Sequence, residues 1–162
     1  QVAEGKTASV FRWALEAGGV AGGLERAHTG ALAEFGQQLG ITFQAVDDLL
    51  DLTGDPDTTG KDLFTDLREG KMTLPLIFAL ERDAEARDIV GRVLDVPEDE
   101  AVPRALARQV IDVLRRTDAV ADTLTLARQH SRRAIDALDT VPDGDARRAL
   151  ATVAEAIVDR DL

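Results

Sequence analysis

The chain has 162 residues, and its 30 acidic side chains outnumber 19 lysines and arginines, which gives a formal net charge of −11. This balance argues against nucleic-acid binding, and the absence of cysteine excludes disulfides, thiolate nucleophiles and cysteine-ligated metal centres. No apolar run approaches the roughly 20 residues of a membrane span, and no secretory signal is visible. We therefore expect a cytoplasmic protein that binds neither nucleic acid nor the membrane interior.

The composition favours helices, because helix formers dominate and aromatic residues make up only 4% of the chain. The predicted helices span about 4–17, 24–52, 72–95 and, as two or three amphipathic elements, 103–160. Glycines end the first helix at 18–19, a turn-rich loop occupies 53–60, and breaks fall near 116–118 and 141–144. The predicted fold class is an all-α helical bundle in a single domain.

The long second helix carries the most informative polar residues. At about 100° per residue, Asp47, Asp48 and Asp51 fall on one face together with Gln44, opposite an apolar face. The apolar face comprises Leu39, Phe43, Val46, Leu49 and Leu50. Gly36 and Gly40 lie in line with the polar face and leave room for a neighbouring helix or a ligand.

Three carboxylates on one largely buried helix repel each other, and a divalent cation would remove the repulsion. Oxygen ligands suit Mg²⁺, Mn²⁺ or Ca²⁺ rather than zinc or copper, and the spacing does not fit an EF-hand. A solvated acidic face is the alternative. Between Asp47 and Lys71 eight acids face three bases, so a phosphate would be held here only with the help of metal ions.

Several other residues allow more than one interpretation. Lys6 and Thr7 follow a glycine as in a P-loop, but the first glycine of that motif would precede the chain and no strand–helix alternation follows. Trp13 is expected to be a packing residue. His28 and His130 are expected to be exposed or to have hydrogen-bonded structural roles.

Four motifs together resemble the C-terminal half of the trans-isoprenyl diphosphate synthases, or polyprenyl synthetases. They are GKTA at 5–8, FGQQLGITFQAVDDLLD at 35–51, GKD at 60–62 and DLREGKMTLP at 66–75, in the family's order and spacing. The resemblance implies the isoprenoid-synthase bundle. It also implies a reaction in which an allylic diphosphate ionises and is attacked by the double bond of isopentenyl diphosphate.

The resemblance also implies roles for individual residues. It makes Asp47, Asp48 and Asp51 ligands of Mg²⁺, with Mn²⁺ as a substitute, and it adds Lys61 to Asp47 and Asp48 as catalytic residues. The implied substrate-binding residues are Lys6, Thr7, Phe43, Gln44, Lys61 and Lys71. Asp66 is a further candidate, and for Phe43 core packing is the alternative.

The family uses two aspartate-rich motifs, and this chain has only the second. We therefore expect residues 1–162 to be the C-terminal portion of one isoprenoid-synthase domain whose N-terminal half is absent, in a protein that forms a homodimer. The main alternative is a noncatalytic subunit of a two-component prenyl diphosphate synthase. A terpene cyclase or head-to-head synthase and a plain helical metal or interaction module are further alternatives.

Overall fold

A computed structural model describes residues 7–53, 63–97 and 99–159. In these ranges the chain is all-α, as predicted, with no strand. The helices are α1 Thr7–Ala21, α2 Arg26–Thr53, α3 Thr65–Arg68, α4 Leu74–Arg82, α5 Ala86–Leu94, α6 Arg104–Arg116, α7 Ala119–Ala137 and α8 Asp145–Val158, with a 3₁₀ turn at Leu138–Thr140. None of the helices within the described ranges is long and apolar enough to cross a membrane.

The described residues form two compact units. The first contains residues up to 46 and those from 125 onward, and the second contains residues 47–124. The core of the first unit includes the buried Phe35, Leu39 and Leu138, with Phe11 and Leu15 packed against it. The core of the second includes the fully buried Leu52, Phe64, Leu76, Val93 and Leu114.

Helices α1 and α2 make an unusually close backbone contact through two glycines. A Cβ atom on Gly40 would lie 2.5 Å from Cα of Ala8, and one on Gly36 would lie 2.6 Å from the carbonyl oxygen of Phe11. The space beside these glycines is thus filled by a neighbouring helix, which decides between the two alternatives that the sequence left open.

Helix α1 ends later than predicted. It continues through the glycines at 18–19 to Ala21, and the turn comes at Gly23, whose φ of 72° is left-handed. Gly19 is buried, and a Cβ there would lie 3.2 Å from Cδ1 of Leu32 on α2. Packing against α2 therefore holds Gly19 in the helix and overrides its weak helix propensity.

Trp13 was expected to be a packing residue, and within the described part of the chain it is not one. Its side chain is 70% exposed, on the outer face of α1 together with Val10 and Val20. Arg12 and Glu16 are the charged residues of α1, so the helix is apolar around most of its circumference. A pattern of this kind does not distinguish the buried face from the outer one.

The single helix predicted over 72–95 is two helices, α4 and α5. The Asp83 carboxylate accepts a hydrogen bond of 2.8 Å from the Glu85 amide, and Arg116 of α6 donates to both Asp83 and Glu85. These contacts hold the chain in a turn between the two helices. The predicted breaks near 116–118 and 141–144 are confirmed by the boundaries of α6, α7 and α8.

Candidate active site

The C-terminal part of α2 presents the predicted carboxylates beside a buried apolar face. Leu49 and Leu52 are fully buried, Asp48 is 9% exposed, and Asp47 and Asp51 are partly buried. The core contacts of the two leucines fix the helix, so the orientation of the acidic face follows from packing. The prediction that this helix is largely buried is confirmed.

Asp51 links the end of α2 to the segment that contains α3. One of its carboxylate oxygens accepts from the Thr65 amide at 3.0 Å, the other accepts from the Asp66 amide at 3.3 Å, and its backbone carbonyl accepts from the Phe64 amide at 2.9 Å. Burial, followed by the charge of Asp66, raises the pKa of Asp51 from 3.8 to about 6, and the backbone hydrogen bonds oppose this rise. The negative charge at Asp51 is therefore destabilised, and a cation nearby would relieve it.

This pKa predicts a pH-dependent effect of Asp51→Asn on stability. Because the folded pKa is raised, protonated Asp51 contributes stability that is lost as the pH rises from about 4 to about 6. At pH 7, without divalent cations, we expect the neutral Asp51→Asn variant to be more stable by about 1 kcal/mol, because it removes the destabilised negative charge. Solvent screening and the loss of one hydrogen-bond acceptor keep the gain this small. Urea denaturation at pH 7 and pH 4 checks this, and an equal gain at both values would contradict the assignment.

Lys71, a predicted diphosphate ligand, pairs with carboxylates in this structure. Its ammonium nitrogen lies 2.6 Å from an Asp66 carboxylate oxygen and 2.7 Å from one of Glu69. These hydrogen bonds raise the pKa of Lys71 above its ordinary value. Asp66 thus contacts Asp51 through its backbone amide and Lys71 through its side chain, and this part of the site is connected by direct hydrogen bonds.

The first unit contains a second group of predicted residues. The Thr7 hydroxyl donates to the side-chain oxygen of Gln44 at 2.8 Å, and the rings of Phe11 and Phe43 lie 5.6 Å apart, tilted by 36°. Phe43 therefore packs against an aromatic residue of α1. Phe11 was not predicted from the sequence, although it lies one helical turn after Thr7. This spacing could have indicated it, as the position of Phe43 beside Gln44 did.

The remaining predicted residues have different outcomes. Lys6 and Lys61 lie outside the described residues. His130 contacts the Gln38 side-chain oxygen at 2.6 Å through Nδ1, which is consistent with a structural role.

Over the described ranges, no three or more acidic or histidine side chains are grouped so that they could hold a metal ion. Metal binding by the α2 carboxylates therefore stays a prediction.

Solved structures share this fold. A polyprenyl synthase from Caulobacter crescentus CB15, crystallised with calcium and isoprenyl diphosphate, matches with a TM-score of 0.83 and 37% identity over 97% of this chain and 47% of that chain. A geranylgeranyl pyrophosphate synthetase from Pyrococcus horikoshii Ot3 matches with a TM-score of 0.81 and 28% identity over 98% of this chain and 47% of that chain. The fold is therefore that of the all-α polyprenyl synthases.

Residues 1–111 match the sequence model of the polyprenyl synthetase family, and the chain belongs to this family. It is 35% identical to the mitochondrial solanesyl-diphosphate synthase 1 of Oryza sativa subsp. japonica, over 96% of this chain and 36% of the relative. It is 34% identical to a short chain isoprenyl diphosphate synthase of Methanothermobacter thermautotrophicus, over 96% of this chain and 47% of the relative. The chain thus spans about half the length, or less, of these relatives.

Proposed function

We propose that this chain is part of a prenyltransferase that joins an allylic diphosphate to isopentenyl diphosphate and releases pyrophosphate. The observation that carries the proposal is the acidic face at the end of α2, where Asp51 has a raised pKa in a chain of the polyprenyl synthetase family. In this reaction the carbon–oxygen bond of the allylic substrate breaks, a carbon–carbon bond forms and one proton leaves. No side-chain nucleophile is needed, which agrees with a chain that has no cysteine.

In this proposal the α2 carboxylates Asp47, Asp48 and Asp51 hold Mg²⁺, which Mn²⁺ can replace. Their oxygen donors suit such a cation, and the electrostatic destabilisation at Asp51 is the kind that a cation relieves. When bound, the metal supplies positive charge that stabilises the leaving pyrophosphate. Two solved relatives, from Caulobacter crescentus and Corynebacterium glutamicum, were crystallised with calcium and isoprenyl diphosphate, which supports a divalent cation.

The other predicted residues bind and orient the substrate. The Thr7–Gln44 hydrogen bond fixes the Gln44 side chain, which we assign to the allylic diphosphate. The ring pair of Phe11 and Phe43, partly buried and one residue from Gln44, is the proposed contact for the first part of the prenyl chain. We assign the diphosphate oxygens to the three lysines Lys6, Lys61 and Lys71.

The whole protein requires more than one aspartate-rich motif in this proposal. We propose that residues 1–162 act as the C-terminal portion of an isoprenoid-synthase domain, in a cytoplasmic homodimer. Their share of the relatives' length supports the first point, that they are one portion of a longer domain. Alone, they are expected to form no prenyl product, because catalysis needs both reactants held together.

A noncatalytic subunit of a two-component synthase is the second candidate. Two relatives are each one part of a multi-part synthase: heptaprenyl diphosphate synthase component 2 of Bacillus subtilis, at 29% identity, and decaprenyl-diphosphate synthase subunit 1 of Schizosaccharomyces pombe, at 33%. This candidate predicts that mutation of the α2 carboxylates leaves the activity of the assembled complex unchanged.

Calorimetry with Mg²⁺ alone and then with Mg²⁺ plus pyrophosphate tests the proposed function. Mg²⁺ alone should bind weakly, because it dehydrates reluctantly and prefers to share phosphate oxygens, whereas pyrophosphate should bind only when Mg²⁺ is present. Asp47→Asn combined with Asp48→Asn should abolish pyrophosphate binding. The matched control is Asp136→Asn, at an exposed carboxylate of α7. Tight Mg²⁺ binding without phosphate, or equal loss in the control, would contradict the proposal.

A further inference from the structure

Helix α4 begins with a buried hydroxyl group that has no hydrogen-bond partner within the described part of the chain. Thr73 is the residue before the first turn of this nine-residue helix, and its extended backbone has φ −76° and ψ 159°. Its side chain makes no capping hydrogen bond, and the residue is only 6% exposed. The hydroxyl oxygen is inaccessible to solvent and has no hydrogen-bond partner among the described residues.

The sequence of α4 removes one of the two amides that the Thr73 hydroxyl could cap in the usual way. A capping threonine accepts from the amide two or three residues later, and Pro75 has no N–H at the first of these positions. A buried hydroxyl without a partner lowers stability, and valine would occupy nearly the same volume without that penalty. In the unliganded chain the Thr73 hydroxyl therefore does not stabilise the folded state.

Thr73 follows closely in sequence a lysine that is hydrogen-bonded to the candidate active site. Asp51 accepts from the Asp66 amide, Asp66 accepts from the Lys71 ammonium group, and Lys71 precedes Thr73 by two residues. The start of a helix also attracts anions, because its first N–H groups have no partner within the helix. A lysine, a hydroxyl and a helix N-terminus therefore follow one another within residues 71–74 of the second unit.

We propose that Thr73 and the first amides of α4 bind a phosphate oxygen of the diphosphate, beside Lys71. This inference rests on the proposed function and extends its site by one element. The Thr73 hydroxyl would donate to the phosphate oxygen and gain the partner that it lacks in the unliganded chain. Binding requires a shift of the exposed Lys71 and Met72, which follow Gly70, a residue with a left-handed φ of 79°.

Three variants test the inference in the calorimetric assay with Mg²⁺ and pyrophosphate. Thr73→Val removes the hydroxyl and keeps the shape, and it should weaken pyrophosphate binding about tenfold. Thr73→Ser keeps the hydroxyl and should bind within about threefold of the unmodified chain. Without ligand, the melting temperature of Thr73→Val should equal or exceed that of the unmodified chain. If Thr73→Val does not fold, Thr73→Ala provides the same comparison.

The possible outcomes separate this inference from the proposed function. If Asp47→Asn combined with Asp48→Asn abolishes pyrophosphate binding while Thr73→Val binds normally, the function stands and the role of Thr73 is refuted. If Thr73→Val lowers the melting temperature and leaves the affinity unchanged, the hydroxyl is a structural cap and the inference is again refuted. If the unmodified chain binds no pyrophosphate with Mg²⁺, the proposed function and this inference both fail.

Discussion

Replacing Asp47 with alanine is expected to lower kcat by about 100-fold or more in a catalytically active polypeptide that contains these residues. In the proposed mechanism the carboxylate holds a cation whose interaction strengthens as negative charge develops on the leaving pyrophosphate. Its loss therefore raises the energy of the transition state more than that of the bound substrate. Steady-state kinetics with isopentenyl diphosphate and an allylic diphosphate measure the effect.

Lys61→Ala provides the contrasting variant for the same assay. A lysine that contacts diphosphate oxygens before and after ionisation contributes to ground-state binding, so KM for the allylic substrate should rise at least as much as kcat falls. Asp136→Asn is the control for a general effect of removing negative charge. A kcat near the unmodified value in Asp47→Ala would show that the metal assignment is wrong.

Gly40→Ala is expected to destabilise the chain by about 3 kcal/mol, the upper end of the usual range for overpacking. The new methyl carbon would lie 2.5 Å from Cα of Ala8, and helix backbones cannot rotate away as a flexible side chain can. Helices α1 and α2 would have to separate, which would also loosen the packing of Phe11 against Phe43. Chemical denaturation monitored by circular dichroism measures the change.

Gly30→Ala is the matched control, because Gly30 lies in the same helix and a Cβ there meets no atom within 4 Å. Alanine has the higher helix propensity, so Gly30→Ala should raise stability by about 0.5–1 kcal/mol. Equal effects of the two substitutions would show that helix propensity, rather than the contact between α1 and α2, determines the change.

The helices that could be predicted from the sequence are those whose apolar and polar residues keep the helical period along the whole helix. The expected helix over 24–52 matches α2, Arg26–Thr53, because its apolar and acidic faces keep the helical period throughout. The end of α1 was predicted too early, since the burial of Gly19 depends on contacts with Leu32 that lie beyond local sequence. The turn between α4 and α5 was missed because Arg116, more than 30 residues away, helps to hold it.

In the candidate site, too, features set by neighbouring residues were predictable, and contacts between residues distant in sequence were not. The spacing of Asp47, Asp48 and Asp51 on one helix is enough to place them on one face. The hydrogen bonds of Asp51 to Thr65 and Asp66 depend on how the chain returns to the end of α2, which spacing alone does not give. The lack of a hydrogen-bond partner for the buried Thr73 hydroxyl is likewise visible only in the folded chain. The sequence shows only that Pro75 offers it no N–H to accept from.

In the proposed function the acidic face of α2 binds a divalent cation together with a diphosphate. Paramagnetic broadening of amide resonances by Mn²⁺, recorded with and without pyrophosphate, locates the cation directly. We predict that broadening centres on Asp47, Asp48 and Asp51, extends to Thr65 and Asp66, and becomes strong only when pyrophosphate is present. Broadening centred on another acidic segment, such as residues 139–145, with α2 unaffected, would contradict the claim.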